Sequence, residues 1–334
     1  PRDGGLKVWI GGIDYEHFQY DHVIQSKRQI GSTFKPIVYT AAIENGIDPC
    51  TYFSLQEVEY KNLKGWTPKN ASDKEQEDYI NYSMEYALSR SINTIAVKVL
   101  EKAGIKNTIL QAQKMGISST LPEVPSLALG TAELTVMELA IAYSTYLNQG
   151  IPAAPKFITR IEHDNGDILY QDQTIEATDI EKKPAISQTT REAVLEMMKT
   201  TINEGTAQRL RSTYGLTNDL AGKTGTTQNN KDAWFVGLSP NLVSVTWVGL
   251  NNHQIGFKST AMGQGANAAL PIFGRWMQKM NKDPELSTYT KARFKPTSKE
   301  VLESLDCNPK KRDGFFKRLF SNPEKTKSRK FNSK

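Results

Sequence analysis

Residues 28–46, RQIGSTFKPIVYTAAIENG, pass from polar residues and a glycine into an apolar segment that ends at a second glycine. Proline has no backbone N–H, and its ring clashes with the carbonyl four residues earlier, so it belongs in the first turn of a helix. Pro36 therefore predicts a helix that begins close to Ser32. The Asn-Gly pair at the end of the stretch predicts where this helix stops.

Ser32 and Lys35 lie three residues apart at the start of this helix. Side chains at this spacing share a helix face, with Cβ atoms roughly 5–6 Å apart. A serine hydroxyl becomes a nucleophile when a base takes its proton, and a lysine whose pKa is lowered by burial or by a second cation is such a base. The pair predicts a serine nucleophile with a lysine base. The alternative is that Ser32 caps the helix and Lys35 lies on the surface.

Lys223-Thr224-Gly225 lies inside a predicted strand, between Gly222 and Thr226. Glycine weakens a strand interior and often marks the close approach of a ligand or of another backbone. A lysine beside two threonine hydroxyls suits a carboxylate, and an open strand edge suits an extended peptide. We interpret this segment as substrate-binding. The alternative is a glycine-rich edge strand with a solvated lysine.

The predicted elements place strands near both ends of the sequence and helices between them. The strands are expected at 6–12, in a hairpin over 157–171, and at 219–227, 232–238 and 242–250. The helices are expected at 33–46, in two segments of 82–104, and at 131–150, 187–205 (with Thr189 and Glu192 in capping-box spacing) and 267–280. Residues 51–82 are predicted as mostly loop.

Sequential strands on short turns imply an antiparallel sheet. We therefore predict an α+β fold for a single domain over residues 1–306. Its antiparallel sheet is flanked by helices and forms one lobe from 1–31 and 156–282. An inserted, mostly helical lobe covers 32–155, with a cleft between the two.

Ser91-Ile92-Asn93 falls at the predicted break between two helices of the helical lobe. A serine or asparagine before a helix is a common N-cap, so capping is the alternative interpretation. The same spacing recurs at Ser239-Pro240-Asn241, where the proline and the flanking strands predict a turn. Because Ser91 lies in the lobe that borders the predicted cleft, we assign Ser91 and Asn93 to the same site as Ser32.

The chain has 334 residues, of which 23% are charged and 38% hydrophobic, an ordinary globular composition. Its sequence has no apolar run close to the roughly 18 residues that span a bilayer. The net charge of +6 is concentrated in residues 307–334, which predicts a basic, disordered tail. Contact of this tail with an anionic membrane or polymer is the alternative. The remainder is close to neutral, so no nucleic-acid partner is predicted.

Cys50 and Cys307 form neither metal-ligand spacing nor a disulfide framework, and the four histidines are scattered, so no metal site is predicted. Trp66 and Asn70 lie in the polar loop and are candidates to line the cleft, with ordinary loop packing as the alternative. The sequence opens with PRDGGLKVWIGG, and we expect it to be a fragment of a longer protein.

Four segments carry a resemblance to a known family: RQIGSTFKP, ALSRSINTIAVKVL, SLALGTAELTVMELAIAYSTYLNQG and LAGKTGTTQNNKDAWFVGLSP. With the order SxxK, SxN and KTG, they resemble the transpeptidase domain of class A, bifunctional penicillin-binding proteins, from about Leu6 to Met280. The resemblance implies the fold shared with serine β-lactamases. Ile92 departs from the Ser-Asp-Asn triplet of those enzymes, which we expect to change local packing rather than chemistry.

The resemblance implies a serine acyl-transfer mechanism. Ser32 would attack the penultimate D-alanine carbonyl of a peptidoglycan stem peptide, and Lys35 would accept the serine proton. Ser91 would relay a proton to the leaving amine, while Asn93 orients the substrate amide and the lysine. An amine of a neighbouring stem peptide would then form the cross-link, and β-lactam antibiotics would acylate the serine instead.

The KTG segment would bind the terminal carboxylate of the substrate. Lys223 would supply positive charge and help to keep Lys35 neutral, and Thr224 and Thr226 would donate hydrogen bonds beside Gly225. The resemblance implies no metal and no organic cofactor. It also implies that a membrane anchor and a glycosyltransferase domain precede this domain in an extracytoplasmic protein.

Two alternatives to a transpeptidase share this fold. In a D,D-carboxypeptidase or a β-lactamase, water replaces the acceptor amine; we find no ExxLN-type motif between Ser91 and Lys223 that would supply the deacylating glutamate of a class A β-lactamase. The second alternative is a non-catalytic penicillin sensor. Such a domain would keep Ser32 and Lys35 and signal instead of cross-linking.

Overall fold

The structure is a computed structural model, and it describes residues 1, 3–70, 79–172, 183–314, 318 and 327–332. Its strands are β1 (Arg28–Gln29), β2 (Tyr52–Ser54), β3 (Val58–Tyr60), β4 (Ile80–Ser83), β5 (Glu133–Leu134), β6 (Arg160–Glu162), β7 (Ile168–Gln171), β8 (Ala221–Thr226), β9 (Asp232–Ser239), β10 (Leu242–Gly249), β11 (Lys310–Arg312) and β12 (Lys327–Arg329). Its helices are α1 (Lys35–Glu44), α2 (Met84–Ser89), α3 (Asn93–Ala103), α4 (Ile105–Lys114), α5 (Val136–Ser144), α6 (Gln188–Asn203), α7 (Arg209–Ser212), α8 (Thr260–Gly263), α9 (Gly265–Ala268), α10 (Leu270–Met280), α11 (Ser287–Thr290) and α12 (Lys299–Leu305).

The main sheet is antiparallel, in the order β10-β9-β8, which confirms the predicted antiparallel arrangement of these three strands. Every residue of β9 is buried, because helices α6 and α9 pack against the sheet. The register sets Lys223 of β8 opposite Val236 of β9. Pro240 and Asn241 form the predicted turn between β9 and β10, directly after Ser239 at the end of β9. The sheet thus holds the KTG segment on a rigid, buried support.

The predicted strand over residues 6–12 is wrong. The only bridge in this region joins Gly5 to Lys156, among the residues that the structure describes. Trp9 donates its indole N–H to the carboxylate of Asp21 at 2.7 Å and packs on Phe157, with ring centroids 5.6 Å apart. Side-chain contacts therefore hold this apolar segment in place of a β-ladder.

Helix α1 runs through the centre of the fold and contacts α3, α4 and α6. Its residues from Lys35 to Ala42 are buried, as the apolar sequence predicts. The predicted break between two helices is confirmed, since α2 ends at Ser89 and α3 begins at Asn93. The large core cluster is built mainly from this helical part and extends onto the sheet. The α+β fold class predicted from the sequence is confirmed.

Several local details differ from the predictions. Helix α6 begins with Ser187 as its N-cap, so the predicted capping box at Thr189 is wrong. The polar stretch 51–82 contains three short strands, β2, β3 and β4, although its residues 71–78 lie outside the described residues. The predicted hairpin around Asn165-Gly166 is confirmed by the pairing of β6 with β7.

The C-terminal segment is not a disordered tail in the part that the structure describes. Strand β11 pairs antiparallel with β4, and β12 pairs parallel with β3. A disulfide joins Cys50 to Cys307, although the two residues are 257 positions apart and carry no spacing signal. Their Cα atoms lie 5.8 Å apart, within the usual range for a disulfide, because the fold places Cys50, just after α1, beside the C-terminal segment. Every described helix is too short or too polar to cross a bilayer.

Candidate active site

Ser32 lies in a 3₁₀ turn, Gly31–Phe34, that leads directly into α1. Gly31 has φ +53°, and a Cβ there would stand 2.6 Å from the carbonyl oxygen of Thr226, so only glycine lets the turn approach β8 this closely. The N–H of Gly31 donates to the carbonyl of Gly130 at 3.0 Å. Backbone contacts on two sides therefore fix the half-buried Ser32 at the mouth of a cleft.

Lys35 is fully buried, so the alternative of a surface lysine is wrong. Its Nζ donates to the carbonyl oxygen of Ser91 at 2.6 Å and to Oδ1 of Asn93 at 2.7 Å, and it lies 3.2 Å from Oγ of Ser91. Burial lowers the pKa of Lys35 well below its ordinary value, and the nearby charge of Lys223 lowers it further. The amine is thus tuned toward its neutral form.

Ser91 and Asn93 lie where the sequence places them, at the break between α2 and α3. Ser91 has φ +58°, a left-handed conformation that a serine rarely adopts. Its Oγ lies between two amines, 3.2 Å from Nζ of Lys35 and 2.9 Å from Nζ of Lys223. The N-cap interpretation is wrong, because the N-cap position of α3 is Ile92 and has no side-chain cap.

Asn70 caps α3 from a distant loop. Its Oδ1 accepts the backbone N–H groups of Asn93 at 2.9 Å and Thr94 at 3.1 Å, and the carbonyl of Lys69 accepts Nδ2 of Asn93 at 2.9 Å. Asn70 satisfies donors that would otherwise be unpaired at the start of a helix. Asn70, a candidate to line the cleft, is not among the residues that line it. The sequence gives no sign of this cap, since the partners are more than twenty positions apart.

Lys223, on β8, is also fully buried, which excludes the solvated lysine of the alternative interpretation. Burial lowers its pKa to about 7. Besides Ser91 Oγ, its Nζ contacts the carbonyl oxygen of Thr224 at 3.0 Å. A Cβ on Gly225 would stand 2.8 Å from the carbonyl oxygen of Ile30, so glycine is needed where β8 passes the Ser32 turn. The two lysines therefore approach Ser91 from two different elements, Lys35 from α1 and Lys223 from β8.

The two threonines of β8 are held by partners that the sequence did not indicate. The hydroxyl of Thr224 lies 2.7 Å from the hydroxyl of Thr206, in the turn after α6, and either oxygen can donate. The hydroxyl of Thr226 accepts the backbone N–H of Gly265 at 2.9 Å. Thr226 therefore keeps its own hydroxyl proton for another acceptor.

A cleft of about 830 Å³ joins these groups. Its walls include the predicted residues Ser32, Ser91, Asn93, Thr224 and Thr226, together with Trp66 of the polar loop. Lys35 and Lys223 lie behind this wall, hydrogen-bonded to Ser91. The structure thus brings all three sequence motifs to one place, as predicted, and Trp66 does line the cleft.

The rim of the cleft is positively charged. Lys69, Arg90 and Arg209 line it, and no carboxylate does so among the residues that the structure describes. The described part of the chain also holds no group of three or more side chains suited to a metal ion. The positively charged lining therefore suits an anionic ligand.

Comparisons with known proteins identify the family. A sequence model described as "Penicillin binding protein transpeptidase domain" matches residues 12–278. Penicillin-binding protein 1A of Aquifex aeolicus is 35% identical over 284 residues, which cover 84% of this chain and 37% of that protein. Penicillin-binding protein 1A of Pseudomonas aeruginosa is 32% identical over an alignment of 341 positions, which covers 86% of this chain and 40% of that protein. The chain thus spans about two fifths of the length of these curated relatives.

Solved structures agree with this assignment. Penicillin-binding protein 1A from Haemophilus influenzae superposes with a TM-score of 0.72 at 26% identity, covering 82% of this chain and 45% of that one. The penicillin-binding protein PonA1 from Mycobacterium tuberculosis superposes with a TM-score of 0.71 at 25% identity, covering 87% of this chain and 75% of that one. The chain therefore belongs to the penicillin-binding protein transpeptidase family, and within it to the domain of class A penicillin-binding proteins.

Proposed function

We propose that this domain is a serine D,D-transpeptidase that cross-links peptidoglycan stem peptides and is acylated by β-lactams. One observation carries the proposal: the amines of Lys35 and Lys223 converge on Oγ of Ser91, at the wall of the cleft onto which Ser32 opens. Burying a charged amine is costly even where it is hydrogen-bonded, and burial lowers the pKa of both lysines. Two such amines around one hydroxyl therefore suit proton transfer rather than stability.

Hydrogen-bond counting supports Lys35 as the base. A neutral amine has two N–H groups and one lone pair. The carbonyl of Ser91 and Oδ1 of Asn93 accept the two N–H groups, so the lone pair is left for a hydroxyl proton on the side that Oγ of Ser91 also faces, at 3.2 Å. Ser32 transfers its proton to this lone pair as its oxygen bonds to the D-alanine carbonyl carbon, which gives a tetrahedral oxyanion.

Collapse of that intermediate breaks the peptide bond and returns the proton. Protonated Lys35 passes a proton to Oγ of Ser91, which hands its own proton to the departing D-alanine nitrogen. Oγ of Ser91 lies within hydrogen-bond distance of both lysines, so the relay needs no large rearrangement. Ser32 is left as an ester, and an acceptor amine or, for a carboxypeptidase, water then takes the acyl group.

Substrate recognition rests on β8 and the charged rim. The positive charge of Lys223 attracts the terminal carboxylate, and the free hydroxyl proton of Thr226 donates to it, with Thr224 and Gly225 beside the extended peptide. Backbone N–H groups of Ser32 and Thr226 form the oxyanion hole, each worth about 3 kcal/mol. The cationic rim around Lys69, Arg90 and Arg209 suits a stem peptide with further carboxylates.

The names of the relatives extend the proposal to the parent protein. Both curated relatives are called penicillin-binding protein 1A and are more than twice as long as this chain. We assign the domain to a membrane-anchored, extracytoplasmic protein with a glycosyltransferase domain upstream. It requires neither metal nor cofactor, and nucleic acid is not among its partners.

Intact-mass analysis after incubation with penicillin tests the proposal. We expect one equivalent of the antibiotic, stable for many minutes, and peptide mapping that places it on the peptide containing Ser32. A stem peptide ending in D-Ala-D-Ala should release D-alanine and give a cross-linked dimer. An adduct on any other residue would refute the proposal.

The same assay separates the alternatives. Turnover of penicillin within seconds would indicate a β-lactamase, and D-alanine release without dimer formation would indicate a carboxypeptidase. A stable adduct with neither product would favour a penicillin sensor.

The acylation rate is expected to depend on pH through the two lysines. Lys35 must be neutral, so the rate rises as pH increases through its lowered pKa. Lys223 must be charged, so the rate falls above about pH 7, where it loses its proton.

In Lys223→Gln the descending limb should disappear. The ascending limb should move to higher pH, since the charge that lowers the pKa of Lys35 is gone. Stopped-flow acylation measures both limbs, with exposed Lys258→Gln as the control; an unmoved ascending limb would contradict the coupling.

A further inference from the structure

Glu101, on α3, is bound almost entirely by the C-terminal segment. Its two carboxylate oxygens accept hydrogen bonds from the two terminal N–H groups of Arg329, with an Nη1–Oε1 distance of 2.6 Å. Oε1 also accepts the backbone N–H of Asn332 at 3.1 Å. The hydroxyl of Tyr60 donates to the same carboxylate at 3.4 Å. The Glu101 side chain is 7% exposed. A bidentate arginine pair of this kind is specific in geometry, unlike a single surface ion pair.

Phe331 fills a place beside the same strand. Its side chain is 6% exposed and meets the ring of Tyr60 edge-on, with centroids 5.3 Å apart. Asn62 accepts the backbone N–H of Phe331 at 2.8 Å and donates to its carbonyl at 3.1 Å. With the pairing of β12 to β3, the segment Lys327–Asn332 is bound like a peptide ligand: a strand, an arginine anchor and an aromatic anchor.

Residue contacts connect the binding site of the C-terminal segment to the catalytic cleft. The backbone N–H of Tyr60 donates to the carbonyl oxygen of Trp66 at 3.0 Å, and the two rings stack with centroids 6.0 Å apart. The segment that follows, 66–69, lines the cleft. Lys69 and Asn70 hold Asn93, whose Oδ1 in turn accepts the amine of Lys35. Direct contacts thus lead from Phe331 to the catalytic lysine.

We propose that the groove formed by Tyr60, Asn62 and Glu101 is a binding site for the C-terminal segment Lys327–Asn332. Its occupancy positions the loop 66–70, whose residues 66–69 form one side of the cleft rim, for acylation. The anchors Arg329 and Phe331 act through the rim and through Asn93, so they are positioning residues. Without them, Tyr60 loses the ring of Phe331 and the rim loses part of its support. The effect on catalysis rests on the proposed function, whereas the effect on the rim does not.

Phe331→Ala and Arg329→Ala, each made in the 334-residue chain, test this proposal against Lys330→Ala, which removes an exposed neighbouring side chain of the same segment. We expect the acylation rate at saturating penicillin to fall about tenfold in Phe331→Ala and by less in Arg329→Ala, because small misplacements of catalytic groups have large effects on rate. Amide hydrogen exchange of residues 66–70 should accelerate in both. Lys330→Ala should match the unchanged protein in both measurements.

Rescue in trans distinguishes positioning from general destabilisation. A synthetic peptide with the sequence of residues 327–332, KSRKFN, should restore both the exchange protection and the acylation rate of Phe331→Ala. The same peptide with alanine in place of phenylalanine should not. Unchanged exchange at 66–70 in both variants, or failure of the peptide to restore protection, would overturn the proposal. If the unchanged protein forms no penicillin adduct, the proposed function fails, yet the exchange measurement still decides whether the segment supports the rim.

Discussion

Lys35→Met is expected to lower the rate of penicillin acylation about 10³-fold, within the range that a general base contributes. Methionine has a similar length and fits an apolar site, but it cannot accept the proton of Ser32. The measurement is the second-order rate constant of acylation with a fluorescent penicillin. Ser32→Ala, which removes the nucleophile, defines zero in the same assay.

The stability of Lys35→Met separates a catalytic effect from a folding defect. The substitution removes a buried amine whose pKa burial lowers, which favours the folded state. It also leaves the carbonyl of Ser91 and Oδ1 of Asn93 without a donor, which costs about 1–3 kcal/mol each. These effects oppose each other. The free energy of unfolding, measured in urea, should therefore change much less than the activation free energy of acylation. Exposed Lys106→Met should leave both quantities unchanged, and a Lys35→Met protein that is acylated normally would exclude Lys35 as the base.

The parts of the site that could be predicted from sequence are those set by local geometry. Pro36 limits where the helix can begin, so the placement of Ser32 and Lys35 at its start follows from a few neighbouring residues. The strand that carries Lys223 is equally local, because its three-strand meander is joined by short turns. That the three motifs meet was an inference from their joint occurrence, and only the fold gives the distances around Ser91.

The parts that could not be predicted depend on contacts between distant residues. Asn70 caps α3 across a loop, and Cys50 reaches Cys307 across most of the chain. The basic C-terminal segment has the composition of a disordered tail, yet Arg329 finds a carboxylate in Glu101 and Phe331 is buried. The composition of a segment describes how well it is solvated on average. Whether the segment is ordered depends on a few specific contacts, here those of Arg329 and Phe331.

The N-terminal segment illustrates the opposite error. Its β-branched and aromatic residues around Trp9, followed by a glycine pair, are typical of a strand, but a strand also needs a partner edge. Here Trp9 is held by Asp21 and Phe157, and these contacts replace a ladder. The β-propensity of a segment shows that its side chains would fit a pleated sheet. It does not show whether the fold provides a neighbouring strand with which the segment can pair.

Gly130→Ala is expected to be among the most destabilising single substitutions in the chain. Gly130 has φ +75°, and a Cβ there would stand 1.8 Å from the carbonyl oxygen of Gly31. The left-handed conformation alone costs an alanine about 1–2 kcal/mol. The clash is with backbone, which cannot rotate away, so we expect a loss of about 4 kcal/mol or more in the free energy of unfolding.

Gly46→Ala supplies the matched control for this prediction. Gly46 has φ +78°, almost the same as Gly130, but nothing lies within 4 Å of the position its Cβ would take. It should therefore show the conformational cost alone. Gly130→Ala must also push the Gly31 turn away from its backbone partner and displace Ser32, so acylation should fall with stability, whereas Gly46→Ala should be acylated normally. Equal losses of stability in the two variants, measured by urea unfolding, would show that the close approach of Gly130 to Gly31 does not hold the nucleophile in place.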